Sequence, residues 1–239
     1  MRVVIDPERG KKYLVNGRLE TDKGIVPTDK LGRVYVRGKK YIVLDPWFVD
    51  FWDAKKRGPQ AMLKKDIGLI IAYTGVGPGW RVAELGCGSG SLLLYLANLV
   101  RPSGKVYAYD KNELYLNIAR QNICQARLEE FVEFKQRDLY EQDIDEAGLD
   151  LVVLDLPEPW RVVPRLRNKL KQGAFLVAFV LHMEKLRKLH DCLLEHGFDD
   201  IQMLECIERK IIVTNNGTRP EISGILHTGY VVISRLVEP

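Results

Sequence analysis

The sequence predicts an α/β protein. A mostly parallel sheet of seven strands ends in an antiparallel hairpin, and a small β-module precedes it. Three observations carry this reading. From residue 80 onward, strand and helix patterns alternate. Residues 80–92 join a buried strand, a glycine turn and the start of an apolar helix. Residues 1–45 hold only short strands and turns. Alternating strands and helices build βαβ units, whose parallel sheets are covered on both faces.

Taken in order, the front module reads as strands over 3–5, 12–15, 33–36 and 40–44. It carries an internal echo. Arg9-Gly10-Lys11-Lys12-Tyr13-Leu14-Val15 returns as Arg37-Gly38-Lys39-Lys40-Tyr41-Ile42-Val43. Each copy sets a basic glycine turn before an aromatic-aliphatic strand, as two similar hairpin tips would. Lysines beside a tyrosine at such a tip suit phosphate contact and base stacking, which makes Lys39 and Lys40 candidate substrate contacts. An ordinary exposed turn has the same composition. Residues 46–79 connect the module to the body. A helix spans 46–58, with Pro46 in its first turn and Gly58 past its end, and a second spans 65–73.

The body, 80–239, continues as strand 81–85, helix 90–100, strand 105–109, helix 112–124, and strands 131–136 and 150–154. Helix 160–171, strand 173–180, helix 183–196, and strands 201–208 and 226–235 follow. The last two strands are joined by a polar loop, 214–223, with no helix, so they read as an antiparallel hairpin at the sheet edge.

The totals narrow the class. The chain has 239 residues, 46% hydrophobic and 28% charged, enough to bury a full core. No apolar run approaches the ~18 residues that span a bilayer, and the N-terminus has no signal-peptide pattern. Cys87, Cys124, Cys192 and Cys206 are scattered with no C-x-x-C pair, which argues against a metal site and for a cytoplasmic location. The net charge is +4 and unevenly spread. Residues 1–65 hold 16 Lys and Arg against 8 Asp and Glu, and the remainder holds 20 against 24. A basic front on a mildly acidic body suits a polyanionic partner; a solvated lysine-rich surface fits equally.

The chemistry lies at the carboxyl ends of the strands, where open α/β sheets bind ligands. Glu84, Gly86, Gly88, Ser89, Gly90, Ser91 and Leu92 form the strand-turn-helix. Its glycines permit a sharp turn and close approach of a ligand to the backbone, and the helix start offers free N–H groups. The run Glu-Leu-Gly-Cys-Gly-Ser-Gly resembles the first motif of class I S-adenosylmethionine (SAM)-dependent methyltransferases, a Rossmann-like fold. Dinucleotide folds more often carry G-x-G-x-x-G there. Asp110 ends the second strand of the body, where a carboxylate accepts from both hydroxyls of a ribose. Asn112 is the better helix cap. Tyr115 lies over the same ribose or serves as a packing residue. Asp138 and the Leu139 N–H, after the third strand, suit an adenine amino group and ring nitrogen. Asp155 ends the fourth strand in Asp155-Leu156-Pro157-Glu158-Pro159, a stiff loop similar to the D/N-P-P-aromatic loop of amino-directed nucleotide methyltransferases. An attacking adenine N1 needs no base, and a carboxylate on the neighbouring amino group stabilises the charge that develops. Asp155 is the candidate catalytic residue. His227 and Tyr230, flanking Gly229, are either substrate contacts or an edge-strand histidine and a core tyrosine. His182, His190 and His196 show no ligand spacing.

Four motifs in order resemble the tRNA (adenine-N1)-methyltransferases of the TrmI type, and their archaeal branch most. They are Arg57-Gly58-Pro59-Gln60, Glu84-x-Gly86-x-Gly88-Ser89-Gly90, Asp155-Leu156-Pro157-x-Pro159 and His227-Thr228-Gly229-Tyr230. The resemblance spans nearly the whole chain. It implies SAM-dependent methylation of adenosine N1 in the tRNA T-loop, at position 58 and in some archaeal members also 57, by a homotetramer. It implies that Ser89 to Leu92, Asp110, Asp138 and Asp155 hold SAM, and that Gln60 closes over its methionine end. Four stretches differ from the usual pattern: Leu63-Lys64-Lys65-Asp66 stands where His-Pro-Lys-Asp is common, Glu158 where Gln is frequent, Phe179-Val180-Leu181-His182 where Tyr-x-Pro-Cys or similar is common, and Glu221-Ile222-Ser223 follows Arg219-Pro220 before His227. Two other readings share part of these features. One is a tRNA-binding paralogue that transfers no methyl group, and the other is a SAM-dependent methyltransferase with a different acceptor.

Overall fold

The computed structural model describes residues 1–58, 61–215, 217–222 and 224–238. The front of the chain forms β1 (Arg2–Asp6), β2 (Lys11–Val15), β3 (Leu19–Thr21), β4 (Gly24–Val26), β5 (Gly32–Val36) and β6 (Lys39–Leu44). Four of these make an antiparallel sheet in the order β2-β1-β6-β5, and β3 pairs with β4 as a separate ribbon. Strand alternation puts Val4, Val34, Tyr41 and Val43 on one face, where they form a small core with Val26.

The two echoed segments are strands β2 and β6, but their basic tips differ from expectation. The turn is made by Arg37 and Gly38, both at positive φ, so Lys39 already belongs to β6. It is 8% exposed and donates to Asp6 at 2.7 Å, an acid that is itself buried. Lys39 is therefore a structural ion pair and no surface contact. Lys40 is half-buried, and Tyr41 lies in the core.

Helix α1 (Phe48–Ala54) is shorter than the sequence suggests. The Trp47 N–H donates to the Asp50 carboxylate at 3.0 Å and fixes its start. The chain leaves the helix at Lys55 and runs extended onto the body. The Lys56 N–H donates to Asn122 Oδ1 at 2.8 Å, and Asn122 Nδ2 donates back to the carbonyls of Lys56 and Ser89. Helix α2 (Lys64–Thr74) follows and ends at Gly75 in the left-handed region.

The body comprises β7 (Arg81–Leu85), α3 (Ser91–Leu99), β8 (Lys105–Asp110), α4 (Glu113–Ala126), β9 (Val132–Gln136), β10 (Leu149–Leu154), α5 (Val163–Leu166), β11 (Leu170–Val180), α6 (Glu184–Glu195), β12 (Phe198–Leu204), β13 (Ile211–Thr214), β14 (Gly217–Pro220) and β15 (Tyr230–Leu236). The seven-stranded sheet runs β12-β15-β11-β10-β7-β8-β9. β15 is antiparallel to both its neighbours, and the other pairs are parallel. The expected C-terminal hairpin is thus the β12–β15 pair, with β15 inserted between β12 and β11.

The predicted helix over 160–171 is replaced by short turns around α5. Pro159 and Pro164 break up any longer run, and Leu170 already pairs with Leu149 as the start of β11. The arm between β12 and β15 carries a small hairpin, β13–β14, whose side chains are almost all exposed. One face of the sheet packs on α2, α3 and α4 through Ile67, Leu93 and Ile123. The other packs on α5 and α6 through Leu166, Leu189 and Leu193.

A polar clamp ties α2 to the segment entering β15. The Thr228 hydroxyl donates to Asp66 Oδ2 at 2.8 Å, and Lys65 Nζ donates to Asp66 Oδ1 at 2.7 Å. Asp66 is fully buried, so losing a donor leaves part of its charge unsatisfied. Thr228→Val is expected to cost about 1–3 kcal/mol, read as a fall in Tm in thermal unfolding.

Candidate active site

The glycine turn after β7 lies against the end of β10. Gly86 has φ +90°, and a Cβ there would collide with the carbonyl oxygen of Asp155. The Gly86 and Cys87 N–H groups donate to the Tyr109 carbonyl at 2.8 and 2.9 Å, and the Gly88 N–H donates to Asp110 Oδ2 at 2.9 Å. Gly90, also left-handed, caps α3 where a Cβ would meet that of Ala119 at 3.3 Å. Gly88 differs: the space beside it is open. The turn is thus wedged on two sides and free on the third.

That open side leads into two adjoining cavities. The larger, about 570 Å³, is lined by Asp110, Tyr115, Asp138 and Leu139 together with Tyr140 and Pro157. The smaller, about 30 Å³, is lined by Glu84, Ser89, Ser91 and Leu92 together with Ala61 and Met62. Gly86, Gly88 and Asp155 border both. A space of the larger size suits a small organic ligand, for which pockets of ~300–1,000 Å³ are usual.

The buried titratable groups beside the glycine turn are acids, while Lys111 and Arg137 also line the larger cavity. Glu84 is buried, and burial, then Asp155 and Asp110, pushes its carboxyl well above the usual range. Burial and the Asp110 charge push Asp155 up to about 7. Among the described residues, neither has an ion pair. Asp110 accepts from the Asn112 N–H at 2.9 Å as well as from Gly88, while the Asn112 side chain caps α4 by accepting from Leu114. Asp138 accepts from the Tyr140 N–H at 3.0 Å. Glu84 Oε2, Ser89 Oγ and Ser91 Oγ are buried without a hydrogen-bond partner. Buried polar atoms are costly when unsatisfied, so these three are ready for a polar ligand. No group of acids, histidines or cysteines among the described residues could hold a metal ion.

The structure therefore gathers Glu84, Ser89, Ser91, Leu92, Asp110, Tyr115, Asp138, Leu139 and Asp155 around two adjoining cavities. Gln60 lies outside the described residues. His227 and Tyr230 line neither cavity. Their ring centres lie 5.0 Å apart with the planes tilted at 52°, and His227 Nδ1 lies 2.6 Å from Glu205 Oε1 and Nε2 3.2 Å from the Leu181 carbonyl oxygen. Ala61, Met62 and Tyr140 escaped sequence reasoning. The Tyr140 hydroxyl accepts from the Glu158 N–H at 2.9 Å and so anchors the proline loop after Asp155. Its position two residues beyond Asp138 was the one available signal.

The family model described as "tRNA methyltransferase complex GCD14 subunit" matches residues 50–224. This chain belongs to that family. It is 33% identical over 267 residues to the tRNA (adenine(57)-N(1)/adenine(58)-N(1))-methyltransferase TrmI of Methanocaldococcus jannaschii, covering 98% of this chain and 94% of that protein. It is 30% identical over 244 residues to the tRNA (adenine(58)-N(1))-methyltransferase TrmI of Thermus thermophilus, covering 98% and 96%. Among solved structures, it is similar to a SAM-dependent O-methyltransferase from Thermotoga maritima, with TM-score 0.88 and 28% identity over 100% of this chain and 93% of that one.

In this GCD14-family chain the Asp155 carboxyl has a sign-determined effect on stability. Its folded value, about 7, exceeds the ordinary 3.8, so folding favours its protonated form. The contribution is complete below pH 4 and is lost as pH rises towards 7. Asp155→Asn should therefore leave the stability of the ligand-free protein unchanged near pH 4 and raise it progressively up to pH 7. Denaturant unfolding across that range checks this.

Proposed function

We propose that this chain transfers a methyl group from SAM to N1 of an adenine in tRNA. The observation that carries the proposal is two acids beside the glycine turn without an ion pair among the described residues, Glu84 lining the smaller cavity and Asp155 bordering both. A ligand with two positive centres would favour their ionised forms, and SAM has an ammonium and a sulfonium. Glu84, Ser89 and Ser91 would hold its methionine end, with Gln60 closing over it. Asp110, with Tyr115, would hold the ribose, and Asp138 with the Leu139 N–H the adenine. Bound there, SAM supplies an electrophilic methyl group.

The work of the chain's own residues is positioning and charge stabilisation. Adenine N1 carries its own lone pair, so no side chain must remove a proton to create the nucleophile. Asp155, ionised, accepts from the exocyclic amino group of the target base. As N1 gains its methyl group the ring becomes cationic, and the bond to Asp155 strengthens at that moment. Leu156, Pro157 and Pro159 keep the carboxylate on a stiff loop, and Tyr140 pins that loop at Glu158. His227 is held by Glu205 and Leu181 and acts through the segment it orders. The relatives' names give adenines 57 and 58 as targets, and the T-loop adenine at 58 is the first choice here. A cytoplasmic homotetramer completes the proposal, and no helix among the described residues is long and apolar enough to cross a membrane.

A hydroxyl acceptor is the second reading, because the Thermotoga relative is called an O-methyltransferase. A hydroxyl does need a base, and a carboxyl near pH 7 could be one. Methyl transfer from labelled SAM to unmodified tRNA transcripts, with the product nucleosides identified, separates the two. The expected product is 1-methyladenosine, and Asp155→Ala should lower kcat on the order of a hundredfold or more while SAM still binds. Label in an O-methylated product favours the second reading. Binding of SAM and tRNA without any transfer leaves the non-catalytic paralogue.

A further inference from the structure

A third cleft, about 410 Å³, lies apart from the two around the glycine turn. Two segments distant in sequence form it: the stretch from α1 to α2, and the arm between β12 and β15. The first of these also borders the small cavity. Ala61 and Met62 face that cavity, while Arg57, Leu63 and Lys64 face the cleft. One short piece of chain thus serves both spaces.

The cations here fall into two groups. Lys64 donates to Asp53 at 2.5 Å, and Lys65 to Asp66 at 2.7 Å. Arg57, Arg209 and Lys210 are exposed and have no carboxylate partner among the described residues, although Glu208 and Glu221 share the lining. Lys55 likewise has no carboxylate partner among the described residues, but it is buried and does not line the cleft. Its Nζ lies 3.1 Å from the centre of the Trp52 ring and donates to the Trp52 carbonyl. Burial, then repulsion from Arg57, pulls its ammonium down to about 8. Apolar side chains share the lining. Ile225 and Leu226 are 63% and 54% exposed, and Leu63 is half-buried beside them.

Free cations and exposed aliphatic side chains in one cleft match the two halves of a nucleotide, phosphate and base. The volume is near the low end of ligand pockets, ~300 Å³ upward, and so suits one nucleotide. A target adenine that reaches Asp155 must leave its stack, and its neighbour on the strand is then exposed as well. We propose that this cleft seats the nucleotide next to the methylated adenosine, with Arg57, Arg209 and Lys210 on phosphates and Leu63, Ile225 and Leu226 against the base. The proposal rests on the reading of this chain as a tRNA methyltransferase.

The test compares the full chain with the double variant Arg209→Ala/Lys210→Ala and with Leu226→Glu. Measured are tRNA affinity across a salt series, KM for tRNA, SAM affinity, and mass in solution by light scattering. For the double variant, tRNA affinity should fall on the order of tenfold, and its dependence on log salt should become shallower by about 1 for each cation removed. The loss should appear in KM for tRNA, with SAM affinity and mass unchanged. Leu226→Glu should weaken tRNA binding too. If the variants bind tRNA like the original chain, with the same salt dependence, while methylation proceeds, the cleft is not a nucleotide seat. If instead they change the mass in solution, the cleft is a contact between copies, and the proposal is likewise overturned. An original chain that neither binds nor methylates tRNA overturns the tRNA methyltransferase reading, and this proposal with it.

Discussion

The site depends on carboxylates crowded together without a counter-charge. Glu84, Asp110 and Asp155 stand at the ends of β7, β8 and β10, adjacent strands of one parallel sheet. The register of those strands brings their acids to the same rim. Asp110 is satisfied by two backbone N–H groups, but Glu84 and Asp155 are not paired. The fold tolerates this arrangement only by keeping protons on groups that would ordinarily be charged. A stability cost of this kind, placed at a cavity, points to a cationic occupant.

The surrounding chain serves that rim. Gly86 lets the turn pass against the Asp155 carbonyl, where any side chain would force the strands apart. Asn122 reaches from α4 to both Lys56 and Ser89, and so fastens the segment from the front of the chain to the glycine turn. The Lys65–Asp66–Thr228 clamp fastens the other end of the same segment to the approach of β15. Between those two anchors, Ala61 and Met62 border the small cavity at the glycine turn, and Arg57, Leu63 and Lys64 border the third cleft. A single tethered stretch therefore adjoins both spaces.

Much of this was legible in the sequence where local chemistry and strand ends coincide. The turn at 86–90 needs glycine at positive φ, and apolar strands ending in Asp110 and Asp155 announce their own C-terminal edge. The misses have physical reasons. Lys39 looked like a surface lysine because charge counts do not distinguish a solvated cation from one paired across two strands. Only the β1–β6 pairing brings Asp6 to it. The helix expected over 160–171 gave way because the β10–β11 ladder claims Leu170, a tertiary preference that overrides a local pattern. Ala61 and Met62 border the site through the path of the backbone and carry no chemical signal. The hairpin β13–β14 went unread, its second strand lying in the stretch taken as a polar loop, because its strands are short and its side chains meet no core.

The central claim is that the glycine-turn acids are protonated until a cation arrives. Calorimetry of SAM binding at pH 6.5, in two buffers of different ionisation enthalpy, tests it directly. The account predicts that SAM binding releases protons, that its affinity rises with pH up to about 7, and that S-adenosylhomocysteine, which lacks the sulfonium charge, releases fewer. Binding with no proton release and no pH dependence would show that these carboxylates are already ionised, and the electrostatic account of the site would be wrong.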